Sequence, residues 1–246
     1  MRFPGFFILL TGLFTISHAR AEVMSDTSRN RDIPVQISMP DNPNVCKATA
    51  KCQVAFLSAG YGVSHTEYQF IAKQLTALDY LVVAIGHELA GDLPLSVEGN
   101  LYQTRQENWK RGAQTLNFIR GTLQKRYQNY DFNHLLLVGH SNGGDISAWL
   151  SNQHKNYVSA LITLDHRRVP LPRVHKIKVL SIRGSDFPAD KGVLPTNEEK
   201  RKYKSCIVTI PGSRHNDMTD NGPQWLKVKI SQLIHGYLQG NSCQSL

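Results

Sequence analysis

The apolar run Leu135-Leu136-Leu137-Val138 stops abruptly at Gly139-His140-Ser141-Asn142-Gly143. A run of that kind reads as a strand buried on both faces. Beyond the turn, Ile146, Trp149 and Leu150 are spaced to bury one face of a helix. A strand must therefore pass into a helix within a very few residues. The flanking glycines suit so tight a turn, because larger side chains would clash with the neighbouring strand and helix. A serine at its apex stands clear of the sheet, beside the positive end of the helix and within reach of a base. The bare Gly-x-Ser-x-Gly pattern arises by chance in roughly one chain in ten of this length. Its place between a strand and a helix is what gives it weight.

The rest of the chain alternates in the same manner. Val35 and Ile37 alternate with polar residues, as in an edge strand. Val54–Leu57 reads as a buried strand leading into Ser58-Ala59-Gly60-Tyr61-Gly62. Ser64 and Glu67 have capping-box spacing ahead of a helix marked by Ile71, Leu75 and Leu78. A strand over Leu81–Ile85 and a loop from Gly86 to Gln103 come next. A second capping box, Thr104 with Glu107, precedes a helix marked by Trp109, Ala113, Leu116, Ile119 and Leu123. Val158–Leu164, Ile177–Ile182 and Cys206–Ile210 read as strands, and Leu226, Ile230, Leu233 and Tyr237 mark a last helix. Strands apolar throughout, alternating with helices, predict a mainly parallel sheet with helices on both faces.

In such sheets chemistry gathers beyond the carboxyl ends of the strands, and there the sequence places Gly60-Tyr61, His87, Ser141, Asp165, Asp186 and His215. A serine nucleophile needs a base, and the base needs an orienting acid, in the chain order Ser, acid, His for this type of turn. His215, in Arg214-His215-Asn216-Asp217 between the last strand and helix, is the expected base. Asp186, just past the strand ending near Ile182, is the expected acid, with Asp190 and Asp165 as the other candidates. His140 is expected to be a packed neighbour of the turn, since adjacent side chains point apart. The negative oxygen of a tetrahedral intermediate requires donors. The backbone N–H groups of Asn142 and Tyr61 are the expected pair, with His87 and Glu88 as further pocket residues.

The turn GHSNGG, the earlier SAGYG, the late RGSD and RHND loops and their order resemble the α/β-hydrolase superfamily. Within it the chain is similar to compact bacterial esterase and lipase-like members, over nearly all of its length beyond the N-terminal segment. The resemblance implies a serine hydrolase with no metal or organic cofactor. Many relatives carry His-Gly in the oxyanion turn, where this chain has Ala59-Gly60. The short stretch between the strands ending near Leu164 and starting near Ile177 leaves no room for a large lid. A small or medium ester therefore suits it better than a long-chain triglyceride. The same site could serve a peptidase, amidase or acyltransferase, and the same fold a non-catalytic binding protein.

At the N-terminus, Arg2, the apolar stretch from Phe6 to Ile16 and the small-x-small site Ala19-Arg20-Ala21 predict a signal peptide over residues 1–21. A single domain over 22–246 follows, with no stable membrane insertion after cleavage. Four cysteines, Cys46, Cys52, Cys206 and Cys243, suit an exported, periplasmic or secreted chain with two disulfides. Local closure favours Cys46 with Cys52, leaving Cys206 to Cys243. No CxxC, HxH or HExxH spacing points to a metal. The formal charge of +9 comes from scattered basic residues without interleaved aromatics, so a solvated surface is expected, not a nucleic-acid partner.

Overall fold

The computed structural model describes residues 19–246. Eight strands form one sheet in the order β1-β2-β4-β3-β5-β6-β7-β8. They are β1 (Ala19–Asp26), β2 (Arg31–Ser38), β3 (Cys52–Ser58), β4 (Leu81–Ile85), β5 (Tyr130–His140), β6 (Val158–Leu164), β7 (Lys178–Arg183) and β8 (Cys206–Thr209). β1 and β2 run antiparallel to their neighbours, and β4, β3, β5, β6, β7 and β8 are mutually parallel. The helices are α1 (Gln69–Thr76), α2 (Leu101–Thr104), α3 (Gln106–Arg126), α4 (Asn142–Ser151), α5 (Asn197–Tyr203) and α6 (Gln224–Leu238).

The two-sided burial of the strands explains their unbroken apolar runs. Successive strand residues face opposite sides of a sheet. Val54, Phe56, Leu135, Leu137, Leu161 and Val179 pack with Trp109, Leu116 and Ile119 of α3 and Ile146 of α4. Their neighbours Ala55, Leu57, Leu136, Val138, Ile162 and Leu180 pack on the other face with Ile71 and Leu75 of α1 and Leu226, Ile230 and Leu233 of α6. Every second residue thus belongs to a different core, and helices cover both faces.

Several local expectations change. β2 is an interior strand: its alternation is real, with Ile33, Val35 and Ile37 buried, but β1 covers its outer side. β1 is exposed over most of its length and lacks an apolar signature. The predicted signal peptide lies outside the described residues except for Ala19-Arg20-Ala21. Those three residues open β1 opposite Ser38, Ile37 and Gln36. The box expected at Ser64 and Glu67 does not start α1. The Ser64 hydroxyl accepts from Thr66 N–H in a local turn, and α1 begins at Gln69. Its first amides are capped by a residue far along the chain: Gln69 and Phe70 N–H donate to the Asp220 carboxylate at 2.7 and 3.1 Å. Thr104 likewise ends α2 instead of capping α3, and Asn100 caps α2. A complete capping box occurs at Thr196 and Glu199, ahead of α5.

The connection from β6 to β7, Asp165 to Ile177, holds no helix, so no large lid rises there. Disulfides join Cys46 to Cys52 and Cys206 to Cys243. Among the described residues no helix is long and apolar enough to cross a membrane.

Candidate active site

Ser141 sits between β5 and α4 with φ 51° and ψ −121°, a left-handed backbone that a non-glycine residue rarely adopts. The turn closes only because its flanks lack side chains. A Cβ on Gly139 would lie 2.3 Å from the Gly143 carbonyl oxygen, and one on Gly143 would lie 2.2 Å from the Ser58 carbonyl oxygen. Ser141 N–H donates to the Leu164 carbonyl at 2.9 Å, which pins the apex to the end of the neighbouring strand β6. The side chain stays partly exposed.

His215 lies in the loop between β8 and α6. Its Nε2 is 2.9 Å from Ser141 Oγ, and its Nδ1 is 2.6 Å from Oδ2 of Asp165. The acid facing the ring is therefore Asp165, and the expectation for Asp186 is corrected. Asp186 lies in an exposed turn past β7, and its Oδ1 accepts from the backbone N–H of His215 at 2.8 Å. Strand order decides between them. β6 is the sheet neighbour of β5, so the residue directly after β6 ends beside the serine turn. Asp190 is elsewhere, paired with Arg168.

Asp165 is fully buried. Burial pushes its carboxyl up, but the hydrogen bond with His215 and the Arg183 charge outweigh that and hold its pKa below the ordinary value. Gly184 N–H donates to Oδ1 at 3.0 Å, and the Arg183 and Arg167 guanidinium groups lie 2.8 and 3.5 Å from the carboxylate. An ionised, fully engaged carboxylate accepts from Nδ1–H and leaves Nε2 to face the serine as an acceptor.

The backbone N–H of Asn142, in the first turn of α4, follows the serine directly, where α-helical amides lack internal partners. The Asn142 side chain is buried. Its Oδ1 accepts from Trp109 Nε1–H at 2.9 Å and its Nδ2 donates to Asn108 Oδ1 at 2.8 Å. Asn108 donates in turn to Glu88 at 3.1 Å. Glu88 thus braces Asn142 from behind, directly and through Asn108. His87 is also buried, 2.9 Å from Ser58 Oγ, and burial, followed by the nearby Arg31 and Arg111 charges, pushes its pKa down to about 3. Gly60, just before Tyr61, lies close to Ser141: a Cβ on it would be 3.4 Å from Ser141 Cβ. The Tyr61 ring is exposed, and its hydroxyl accepts from Leu95 N–H at 3.1 Å, tying the loops after β3 and β4 together.

His140 packs its ring beside that of His215, with centroids 4.9 Å apart. It is buried against Tyr68, with Nδ1 2.8 Å from the Tyr68 hydroxyl. Sequence reasoning did not single out Tyr68; its signal was an aromatic just ahead of α1 with a polar handle. A depression of about 390 Å³ bordered by Gly62, Val63, His140 and Asn216 adjoins this side of the site. A larger one of about 790 Å³ lies between α1 and α6, among Phe70, Lys73, Lys227 and Val228, and none of Ser141, His215 and Asp165 borders it. Among the described residues no group of three His, Cys, Asp or Glu side chains is placed to hold a metal ion.

The sheet order, the helices on both faces and the serine turn after β5 define an α/β-hydrolase fold. Solved structures of that fold superpose on nearly the whole chain. Esterase 2 of Thermogutta terrifontis, in its apo form, matches with a TM-score of 0.61 at 13% identity, covering 89% of this chain and 93% of that one. A ferulic acid esterase from Streptomyces cinnamoneus gives a TM-score of 0.61 at 16% identity, covering 89% of this chain and 86% of that one. A predicted CIB-like hydrolase from Thermoplasma acidophilum gives 0.58 at 15%, covering 90% and 98%. No protein-family model and no curated protein matches the sequence.

Proposed function

We propose that this protein is an exported serine hydrolase that cleaves carboxylic esters of small or medium size through an acyl-serine intermediate. The observation that carries the reading is the unbroken line Ser141 Oγ, His215 ring, Asp165 carboxylate, at 2.9 and 2.6 Å. In the proposed reaction His215 Nε2 takes the Ser141 proton as Oγ attacks the ester carbonyl. Asp165 stabilises the resulting imidazolium and stays ionised. The carbonyl oxygen becomes an oxyanion, held by the N–H groups of Asn142 and Tyr61. The imidazolium then protonates the leaving alkoxide, and the acyl group remains on Ser141. Water, deprotonated by the same nitrogen, attacks the acyl-enzyme; its collapse releases the acid and returns the proton to Ser141.

Ester hydrolysis is favoured by the esterases among the structural neighbours, and a small or medium acyl group by the helix-free β6–β7 connection. The two disulfides favour export. Labelling with a fluorophosphonate probe, alongside hydrolysis of p-nitrophenyl esters of increasing chain length and of matched amides, tests the proposal. Wild-type protein should label on Ser141 and turn over short esters fastest, and Ser141→Ala should do neither while keeping its fold. Turnover by folded Ser141→Ala would sink the assignment. A preference for amides would redirect it to a peptidase or amidase.

A further inference from the structure

Tyr68 and His140 are both buried, at 0% and 2% exposure, and neither takes part in the proton transfers above. A tyrosine and a histidine in a protein interior are costly unless each polar atom is partnered, and here the partners run in one line. Gly60 N–H donates to the Tyr68 hydroxyl oxygen at 3.0 Å. The Tyr68 hydroxyl lies 2.8 Å from His140 Nδ1, and His140 Nε2 lies 3.0 Å from the backbone carbonyl of His215. The chemistry of the two ends fixes every direction between them. An amide N–H only donates, so Tyr68 accepts there; a neutral His140 ring protonated at Nε2 has a bare Nδ1, which takes the Tyr68 hydrogen. A carbonyl only accepts, so Nε2 must carry the histidine's proton. Burial, followed by the proximity of the second imidazole, His215, pushes the His140 pKa down to about 3, in keeping with a neutral ring.

The two ends of this line are informative. Gly60 opens the turn that carries Tyr61. Tyr68 holds Gly60 N–H, in the Ala59–Gly60 peptide, and Val63 N–H donates at 3.1 Å to the Gly60 carbonyl, which shares a peptide plane with Tyr61 N–H; Gly60 is thus held on both sides of its Cα. The other end is the backbone of His215. We propose that Tyr68 and His140 are positioning residues, a relay of fixed polarity that sets the Tyr61 N–H and the His215 ring in register across Ser141. This rests on the serine-hydrolase reading and deepens it: the oxyanion donor and the base are held by one shared pair of side chains, not by two independent loops.

Tyr68→Phe removes the relay's first link and keeps the ring. His140→Asn keeps an acceptor for Tyr68 and loses the donor to His215. With p-nitrophenyl acetate, each variant should lose kcat on the order of tenfold to a hundredfold, the range for misplacing a reacting group or an oxyanion donor. KM should stay within about twofold of wild type, as expected when an interaction acts in the transition state alone. Affinity for an alkyl boronic acid, which forms a tetrahedral adduct on the serine, should fall with kcat, while affinity for a non-reactive amide analogue should hold. Nitrogen-15 NMR of wild-type protein should show His140 as the neutral Nε2–H tautomer from pH 5 to 8. An Nδ1–H tautomer, or a folded variant with wild-type kcat, overturns the relay. So does a loss in which KM rises as kcat falls and amide and boronic acid weaken together, since that is general loosening. If Tyr68→Phe does not fold, His140→Asn and the tautomer decide. Wild-type protein that fluorophosphonate fails to label would instead defeat the serine-hydrolase reading and leave the tautomer result standing.

Discussion

Asp165 and Asp186 both touch His215, but at different atoms, and a single substitution separates their roles. Asp165 meets the ring at Nδ1, whereas Asp186 meets only the backbone N–H. Asp165→Asn offers the ring an amide that can donate as well as accept, which permits the tautomer with its proton on the serine side. Its φ of 47° is one that asparagine tolerates. The expected loss in kcat is on the order of 10³–10⁴-fold, as for the analogous change in serine proteases. Asp186→Asn keeps an acceptor for the backbone N–H and should stay within about tenfold of wild type. Steady-state kinetics on one short ester checks both, and the reverse ranking would return the orienting role to Asp186. Arg183, buried beside Asp165, loses its counter-charge in the first variant. Thermal stability should fall there as well, so circular dichroism must accompany the kinetics.

At the scale of elements, α4 is fastened to the sheet rim by its own first turn. Asp145 is buried, and its Oδ1 accepts from the N–H groups of Arg168 and Val169 at 2.9 and 2.8 Å. Burial raises its pKa from 3.8 to about 6, against the pull of those bonds and of the Arg168 charge. The sign follows from linkage. A carboxyl raised in the folded state supports folding fully below the unfolded value, and that support is lost as pH rises through about 6. A difference of this size corresponds to roughly 3 kcal/mol. Asp145→Asn keeps the acceptor for both amides and cannot ionise. Urea unfolding at pH 4 and pH 8 should therefore show the variant gaining on wild type by roughly 2–3 kcal/mol between the two. An unchanged difference would mean that Asp145 stays ionised without penalty.

For the molecule as a whole, the two disulfides constrain very different lengths of chain. Cys46–Cys52 spans 6 residues, and Cys206–Cys243 spans 37, tying the outermost strand β8 to the segment after α6. Closing the longer loop removes more freedom from the unfolded chain, about 4 kcal/mol against about 2 on the entropy model. Double Cys→Ser replacement of the longer pair should lower stability to denaturant by the larger amount. Because β8 leads into the loop carrying His215, it should also cost more activity near the melting transition. Equal losses for both pairs would place the stabilisation in the folded state instead.

The sequence by itself determined the class of fold and put Ser141 and His215 at strand ends, where they come to lie 2.9 Å apart. Unbroken apolar strands mean two buried faces, and Gly-x-Ser-x-Gly after a strand leaves the backbone few other paths; these are local properties, legible along one stretch of chain. It also made the likelier pairing of the cysteines readable, since short loops close most readily. What depends on which elements become neighbours was decided by tertiary structure alone. β2 lost its edge position because β1, without apolar alternation, pairs beside it. α1 took its cap from Asp220, far along the chain, because α1 and α6 share one face of the sheet. The acid at the ring is Asp165 because β6 lies beside β5, and Tyr68 reaches His140 only once α1 is folded against the sheet. A hydrogen bond is specified by two positions in space, and a chain read in order gives their separation in sequence but not their distance.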